Sequence, residues 1–200
     1  MNNLYLYGAS GHAKVILDAI RVSGTDIRGV YDDDINKIDF QGFKVIHKLS
    51  DISDPTWIIS IGDNYLRKEI AKRLAVIYAS VIHPSAVMAE DVELGAGTVV
   101  MAGAIINTST EIGKHGIVNT SASVDHDCRI GDFVHISPNA TLCGNISIGD
   151  GTHVGAGATI IPNLAIGKNV VIGAGTVVID HISDNCTVVG NPGRVIKNGK

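Results

Sequence analysis

Aromatic side chains are scarce: five Tyr, three Phe and one Trp in 200 residues. An interior with so few rings has to be narrow and filled by aliphatic groups. Cysteine is scarce too, with Cys128, Cys143 and Cys186 and no CxxC pair, which fits reduced, buried thiols in a cytoplasmic protein. No apolar run approaches the roughly 20 residues needed to span a bilayer. The opening MNNLYLYGASGHAK lacks a basic stretch followed by a long apolar one, so no secretion signal is expected. Positive charge is not in excess: the net charge is −4, and without a basic stripe a nucleic-acid partner is not expected. Apolar residues at 45% against 18% charged exclude disorder.

Glycine, by contrast, is abundant, with 23 residues. Its spacing separates flexible linker from repeated tight turn, and the spacing is regular. Stepping by six from Ile82 gives Met88, Leu94, Val100 and so on to Val178, 17 positions with a large aliphatic side chain at each. Four residues further on, from Ala86 and Val92 to Ile182, every position is small or apolar. Glycine often follows the large aliphatic residue, as at Gly95, Gly113, Gly131, Gly149, Gly167 and Gly173. A period of six suits neither an α-helix nor a plain strand alternation. It suits short strands joined by turns, three to a coil of 18 residues, stacked about 4.8 Å apart. The expected fold over residues 80–200 is therefore a left-handed parallel β-helix of hexapeptide repeats, in which stacking buries what no single repeat can.

Residues 1–79 follow another grammar. Asn3–Tyr7 reads as a strand, Gly8–Gly11 as a tight turn and His12–Val22 as an amphipathic helix. Ile27–Tyr31 is a second strand ending in Asp32 and Asp33. Trp57–Ile61 is a third, followed by Gly62-Asp63-Asn64 and a helix to about Leu74. This alternation predicts a small Rossmann-like parallel α/β sheet. A glycine turn between strand and helix can face a phosphate, and carboxylates beyond the second strand are placed to meet the sugar or base of a nucleotide. Equally, Gly8-x-x-Gly11 alone serves as a structural turn, and two aspartates serve as a solvated loop.

Chemistry on a β-helix has to come from polar side chains at outward positions. His126 stands between Asp125 and Asp127, either of which could hold its ring and raise its basicity. His135 and His153 are 18 residues apart and should stack in neighbouring coils. The sequence assigns no role to His115, His153 or His181. Histidine ligands five residues apart, as in the γ-class carbonic anhydrases built on the same repeat, are missing: Thr120 stands five beyond His115 and Gly131 five beyond His126. No metal is expected. Cys128 falls inward and Cys143 near a turn without an adjacent base, so a cysteine nucleophile is not expected.

The run NTSASVDHDCRIGDFVHISPNATLCGNISIGDGTHVGAGATIIPNLAIG resembles the bacterial sugar O-/N-acetyltransferases of the hexapeptide-repeat superfamily. These include the bacillosamine-pathway UDP-4-amino-sugar and perosamine N-acetyltransferases and the sialic acid O-acetyltransferases. YLYGASGHAKVILDAI, SIGDNYLRKEI and the closing VVGNPGRVIK are similar to the same family. The resemblance implies acetyl-CoA as cosubstrate and His126 as general base, oriented by Asp127 where the family commonly has Glu. It implies His135 and Asn119 beside the acetyl group and the acceptor amine. Gly144 is implied as a donor to the thioester carbonyl, with Gly155, Gly173, Asn191 and Pro192 along the CoA groove. Gly8, Ser10, Gly11, His12, Asp32, Asp33, Gly62 and Asn64 are implied as nucleotide-sugar contacts. The family works as a homotrimer with active sites between subunits. The implied acceptor is a UDP-linked 4-amino sugar for surface glycan or glycoprotein synthesis. A sugar hydroxyl as acceptor, or a non-catalytic nucleotide-sugar-binding protein, are the competing readings.

Overall fold

The computed structural model describes residues 3–74 and 76–199. The N-terminal unit contains β1 (Leu4–Tyr7), α1 (Gly11–Val22), β2 (Gly29–Tyr31), β3 (Asp39–Phe40), β4 (Phe43–Ile46), β5 (Thr56–Ile59), α2 (Asn64–Arg73) and β6 (Ile77–Tyr78). Its sheet runs β3-β4-β2-β1-β5-β6. All neighbours are parallel except the β3–β4 hairpin, so the α/β arrangement is the one expected. Two strands are shorter than their apolar runs, because Ile27 and Ile61 already belong to loops.

The hairpin was not foreseen. It turns through Gln41 and Gly42, both at positive φ (49° and 88°), the backbone of a mirror-image two-residue turn. Asn-Gly announces such a turn; Gln-Gly does not.

From Val81 the chain forms the parallel β-helix of hexapeptide repeats. The first face stacks strands such as Val99–Val100, Ile117–Val118, His135–Ile136 and His153–Val154. The second carries Ile105–Ile106, Ser123–Val124 and Thr141–Leu142, and the third Glu111–Ile112, Arg129–Ile130 and Ser147–Ile148. Strands pair with those 18 residues on, Val100 with Val118 and Val118 with Ile136, until the last coil, where Val171 pairs with Thr187, 16 residues on. The aliphatic columns are buried along the rod's length. The first coil is the exception, with no further coil beneath it: Ile82 is exposed and Met88 and Leu94 are only half-buried.

Glycine has two separate jobs in these coils. The glycine after the aliphatic residue does not need positive φ; it needs room. A Cβ at Gly113 would stand 2.7 Å from the carbonyl carbon of Gly131 in the next coil. The left-handed position is two residues later in each turn and is often not glycine: Asn139, Asn145 and Asp127 adopt it at φ 58°, 59° and 59°.

The N-terminal unit is seated on the first face. Ala13, Ile16, Leu17 and Ile20 of α1 share one apolar cluster with Val81, Val99 and Met101 of the rod. That seating brings the loop after β5 against the outward side chains of the first face.

Candidate active site

The turn Asp125-His126-Asp127 lies on the edge between the second and third faces. His126 Nδ1 is 2.6 Å from Asp127 Oδ2, with both side chains more than half exposed. Asp125 does not compete for the ring: its Oδ1 accepts the His126 backbone N–H at 2.8 Å and the Asn107 amide at 2.8 Å. The hydrogen bond to Asp127, helped by the charge of Asp125, raises the His126 pKa above its ordinary value. With Nδ1–H donated to the carboxylate, the lone pair of the neutral ring is on Nε2. Gly144 lies in the same edge one coil on. A Cβ there would stand 2.6 Å from His126 Cε1 and Nε2, so this glycine makes room for the imidazole.

A second cluster lies where the N-terminal unit meets the first face. His135 Nδ1 donates to the Gly62 carbonyl at 3.1 Å, and Asn119 Nδ2 lies 3.0 Å from His135 Nε2. A carbonyl only accepts, so the proton is on Nδ1 and Nε2 accepts from the amide. His153 stacks on His135 at 4.8 Å with the rings 5° apart, and Ser137 Oγ lies 2.8 Å from its Nε2. The His12 ring centre is 6.1 Å from that of His135, and its buried Nε2 has no partner. Burial, with the nearby Arg67 charge, pushes His12 down to about 4. Burial, followed by the charges of His153 and Arg67, takes His135 to about 3. His115 falls to about 4 for the reasons that act on His12. Gly62, Asn64, His135 and His153 line one cleft beside α2.

The glycine turn and the aspartates form a neighbouring cleft on the other side of α2. Asp32 is buried. Its Oδ2 accepts the Ala9 N–H at 2.7 Å and the Lys37 ammonium at 2.8 Å, and its Oδ1 accepts the Asp34 N–H. Burial would raise its pKa, but Lys37 and the two backbone donors outweigh burial and hold it below the ordinary value. Asp32 therefore shapes the loop from Gly8 to Ser10. Asp33 accepts from the hydroxyls of Tyr7 (2.6 Å) and Tyr31 (3.0 Å) and from Arg73 (2.8 Å). Gly8 needs its freedom: φ is +113°, and a Cβ would meet Ile61 Cδ1 at 2.6 Å. Gly11 opens α1 with nothing within 4 Å of a Cβ, and Ser10, the N-cap, is extended without a side-chain cap bond. The first helical turn carries no acidic residue, leaving the N-terminus open to an anion.

The expected site residues thus fall into three places in one chain. His126, Asp127 and Gly144 share the edge between the second and third faces. Asn119, Gly155, Gly173, Asn191 and Pro192 share the edge between the first and second, with His135 reaching Asn119 from the first face. Gly8, Asp32 and Asp33 line the cleft of the N-terminal unit, with Ser10 and Gly11 at the start of α1 outside its lining, while His12, Gly62 and Asn64 sit with His135. Lys37, Arg67 and Arg73 were missed. Arg67 and Arg73 reach partners 40 to 66 residues away, a distance no local pattern reveals, whereas Lys37 stands five residues beyond Asp32 with no motif to mark it. Among the described residues, no group of three or more His, Cys, Asp or Glu side chains converges as a metal site.

Residues 3–74 match the family model described as PglD N-terminal domain. Residues 127–162 and 145–180 match the bacterial transferase hexapeptide model of six repeats. The chain superposes on a mutant of perosamine N-acetyltransferase from Caulobacter crescentus, in complex with CoA and GDP-perosamine. The TM-score is 0.92 at 32% identity, covering 99% of this chain and 98% of that one. The chain belongs to the hexapeptide-repeat sugar acetyltransferases. The acetyltransferase domain of PglB from Neisseria gonorrhoeae, in complex with acetyl coenzyme A, matches this family member with a TM-score of 0.91. Identity there is 35%, over 98% of this chain and 99% of that one. UDP-N-acetylbacillosamine N-acetyltransferase of Bacillus subtilis is 40% identical over 115 residues. That alignment spans 51% of the acetyltransferase chain and about half (52%) of the Bacillus protein.

The neutral histidines of this acetyltransferase carry a stability consequence. Unfolded histidines take up protons near pH 6.5, whereas His12, His115 and His135 resist until about pH 4 or below. The unfolded chain therefore binds more protons across that window. Stability is full above about pH 6.5 and falls as the pH drops towards 4, by about 1 kcal/mol per pH unit for each such proton. Urea midpoints measured at pH 6.5, 5.5 and 4.5 should decline in that order; a constant midpoint would contradict the buried neutral rings.

Proposed function

We propose that this protein transfers the acetyl group of acetyl-CoA to the amine of a nucleotide-linked amino-deoxysugar, a UDP-4-amino sugar, with His126 as general base. The observation that carries this reading is the His126–Asp127 pair, with its basic nitrogen over Gly144. The amine lone pair attacks the thioester carbonyl carbon, and the amine proton passes to His126 Nε2. The C–S bond then breaks, the amide forms, and the CoA thiolate takes the proton back from His126. A base so placed contributes about 10²–10⁴-fold, and holding the two reactants together contributes about 7–11 kcal/mol of effective concentration. No acyl-enzyme is required, and the thiols fit that: burial pushes Cys128 above its ordinary value.

Two edges of one rod cannot form one groove. The reading therefore includes a homotrimer, in which the His126–Gly144 edge of one subunit faces the Asn119–Gly155–Gly173 edge of the next. It also places the enzyme in the cytoplasm, for which three free thiols are the support. Among the described residues no helix is long and apolar enough to cross a membrane. Release of CoA thiol, followed spectrophotometrically against a panel of UDP-, GDP-, dTDP- and CMP-linked 4-amino sugars, tests the reading. Turnover with none of them would sink it.

The N-terminal cleft makes a separable prediction. Asp32→Ala with Asp33→Ala should raise KM for the nucleotide sugar about 10-fold or more and leave KM for acetyl-CoA near its original value. Contacts remote from the reacting atoms act on affinity before they act on the chemical step. Calorimetric titration with each ligand checks it; equal losses for both would make the cleft merely structural.

A further inference from the structure

Arg67, on α2, is 1% exposed and meets no carboxylate. Its Nε donates to the His115 carbonyl at 2.9 Å. Nη1 donates to the carbonyls of Ile61 and Gly62 at 3.0 and 3.2 Å, and Nη2 to Asn64 Oδ1 and the Phe133 carbonyl at 2.8 and 3.1 Å. Five donors make five hydrogen bonds, all to neutral oxygens. Burial lowers its pKa to about 10, so the group keeps its charge at neutral pH. A buried charge without a counter-ion is expensive, and apolar packing could join two units at less cost. Its placement next to the histidine cluster supplies the reason for a cation.

The Gly62 carbonyl accepts from both Arg67 Nη1 and His135 Nδ1. From His135 the chain of bonds continues to Asn119 Nδ2, while Asn119 Oδ1 accepts the Thr120 N–H. That last bond fixes which end of the amide faces His135, and leaves the second Nδ2–H for a ligand. We propose that Arg67 is a positioning residue for acyl transfer: it fixes the Gly62 carbonyl that holds His135 as the neutral Nδ1–H tautomer, so that His135 orients Asn119 as a hydrogen-bond donor. A protonated His135 would offer a second N–H where Asn119 donates, and the amide would have to turn away.

Burial is the largest influence that keeps His135 neutral, and His153 precedes Arg67 only when it is itself charged. His12 on α1 and His153 on the rod are themselves pushed towards the neutral form by burial. Asp63 at the N-cap of α2 and Lys68, Glu69 and Lys72 along it line the same cleft with both signs. The effect on turnover rests on the acyl-transfer reading of His135 and Asn119; the state of the ring does not.

The test uses the full chain as wild type, Arg67→Gln and Arg67→Lys, with long-range ¹H–¹⁵N NMR of the histidine rings. Wild-type His135 should remain the neutral Nδ1–H tautomer down to pH 5. Arg67→Gln removes the charge and should raise the His135 midpoint by about one pH unit or more, whereas Arg67→Lys keeps a charge and should move it less. In turnover, Arg67→Gln should lower kcat about 10- to 100-fold, with KM for the nucleotide sugar changed much less. Arg67→Lys should recover part of the rate. A wild-type His135 that protonates near pH 6.5, or carries its proton on Nε2, would overturn the proposal without any variant. So would an Arg67→Gln ring that titrates as wild type does. Absence of turnover in the wild type with every acceptor would count against the proposed reaction and leave the ring titration to decide the role of Arg67.

Discussion

His126→Ala should lower kcat about 10²–10⁴-fold with little change in either KM, the signature of a lost proton acceptor in the transition state. Asp127→Asn should cost less. It leaves the ring in place but removes its orienting acceptor and one source of its raised basicity. The pH profile separates the two effects. His126 acts only when neutral, and its pKa lies above the ordinary histidine value, so activity in the wild type should fall as the pH drops through that raised value. In Asp127→Asn the acid limb should move to lower pH, while the plateau is reduced. Near-wild-type turnover by His126→Ala at neutral pH would remove this histidine from the base role.

Gly144→Ala should be almost as damaging, about 10²-fold in kcat, although it adds a single methyl group. The added Cβ would stand 2.6 Å from the His126 ring, closer than side-chain carbons approach, and an exposed ring yields before a coil does. A displacement of about 1 Å at the reacting group is enough for such a loss. Thermal unfolding should change little, because the ring can swing outward without disturbing the aliphatic columns. Unaltered kcat in Gly144→Ala would mean that the imidazole works from another position; a large loss of stability would mean that the coil moved instead.

The rod was legible in the sequence because one period governs it. Each aliphatic residue from Met88 to Val178 occupies an equivalent place, so a rule read at one coil holds at the next. The β3–β4 hairpin was not legible, since its strands are two and four residues long and its Gln41-Gly42 turn lacks the usual residue pair. Within the site, His126 and Asp127 could be paired because they are neighbours in the chain. His135 could not be joined to Gly62, 73 residues earlier, nor Arg67 to His115 and Phe133, 48 and 66 residues later. Those bonds depend on how the N-terminal unit sits on the first face, which no periodicity encodes. The function of the first-turn glycines was half legible: the turn was read correctly, but the need for space at Gly113 appears only when the next coil is laid against it.

The stacking has an arithmetic of its own. Folding of the rod is indifferent to phase modulo six, since any whole hexad continues the aliphatic column. The edges, however, recur only every 18 residues, as the pairing of Val100 with Val118 requires. Excising one hexad between Met101 and Ile112 would leave a well-packed solenoid but turn everything after it by one face against the N-terminal unit, carrying His126 into the place now held by Thr120, on the edge between the first and second faces. Excising three would return it to its own edge, one coil lower, in the place of Thr108. Hydrophobic burial alone cannot register the first change. A six-residue deletion should therefore yield a stable, inactive rod, and the insensitivity of the core to that error leaves the catalytic angle to be kept by function.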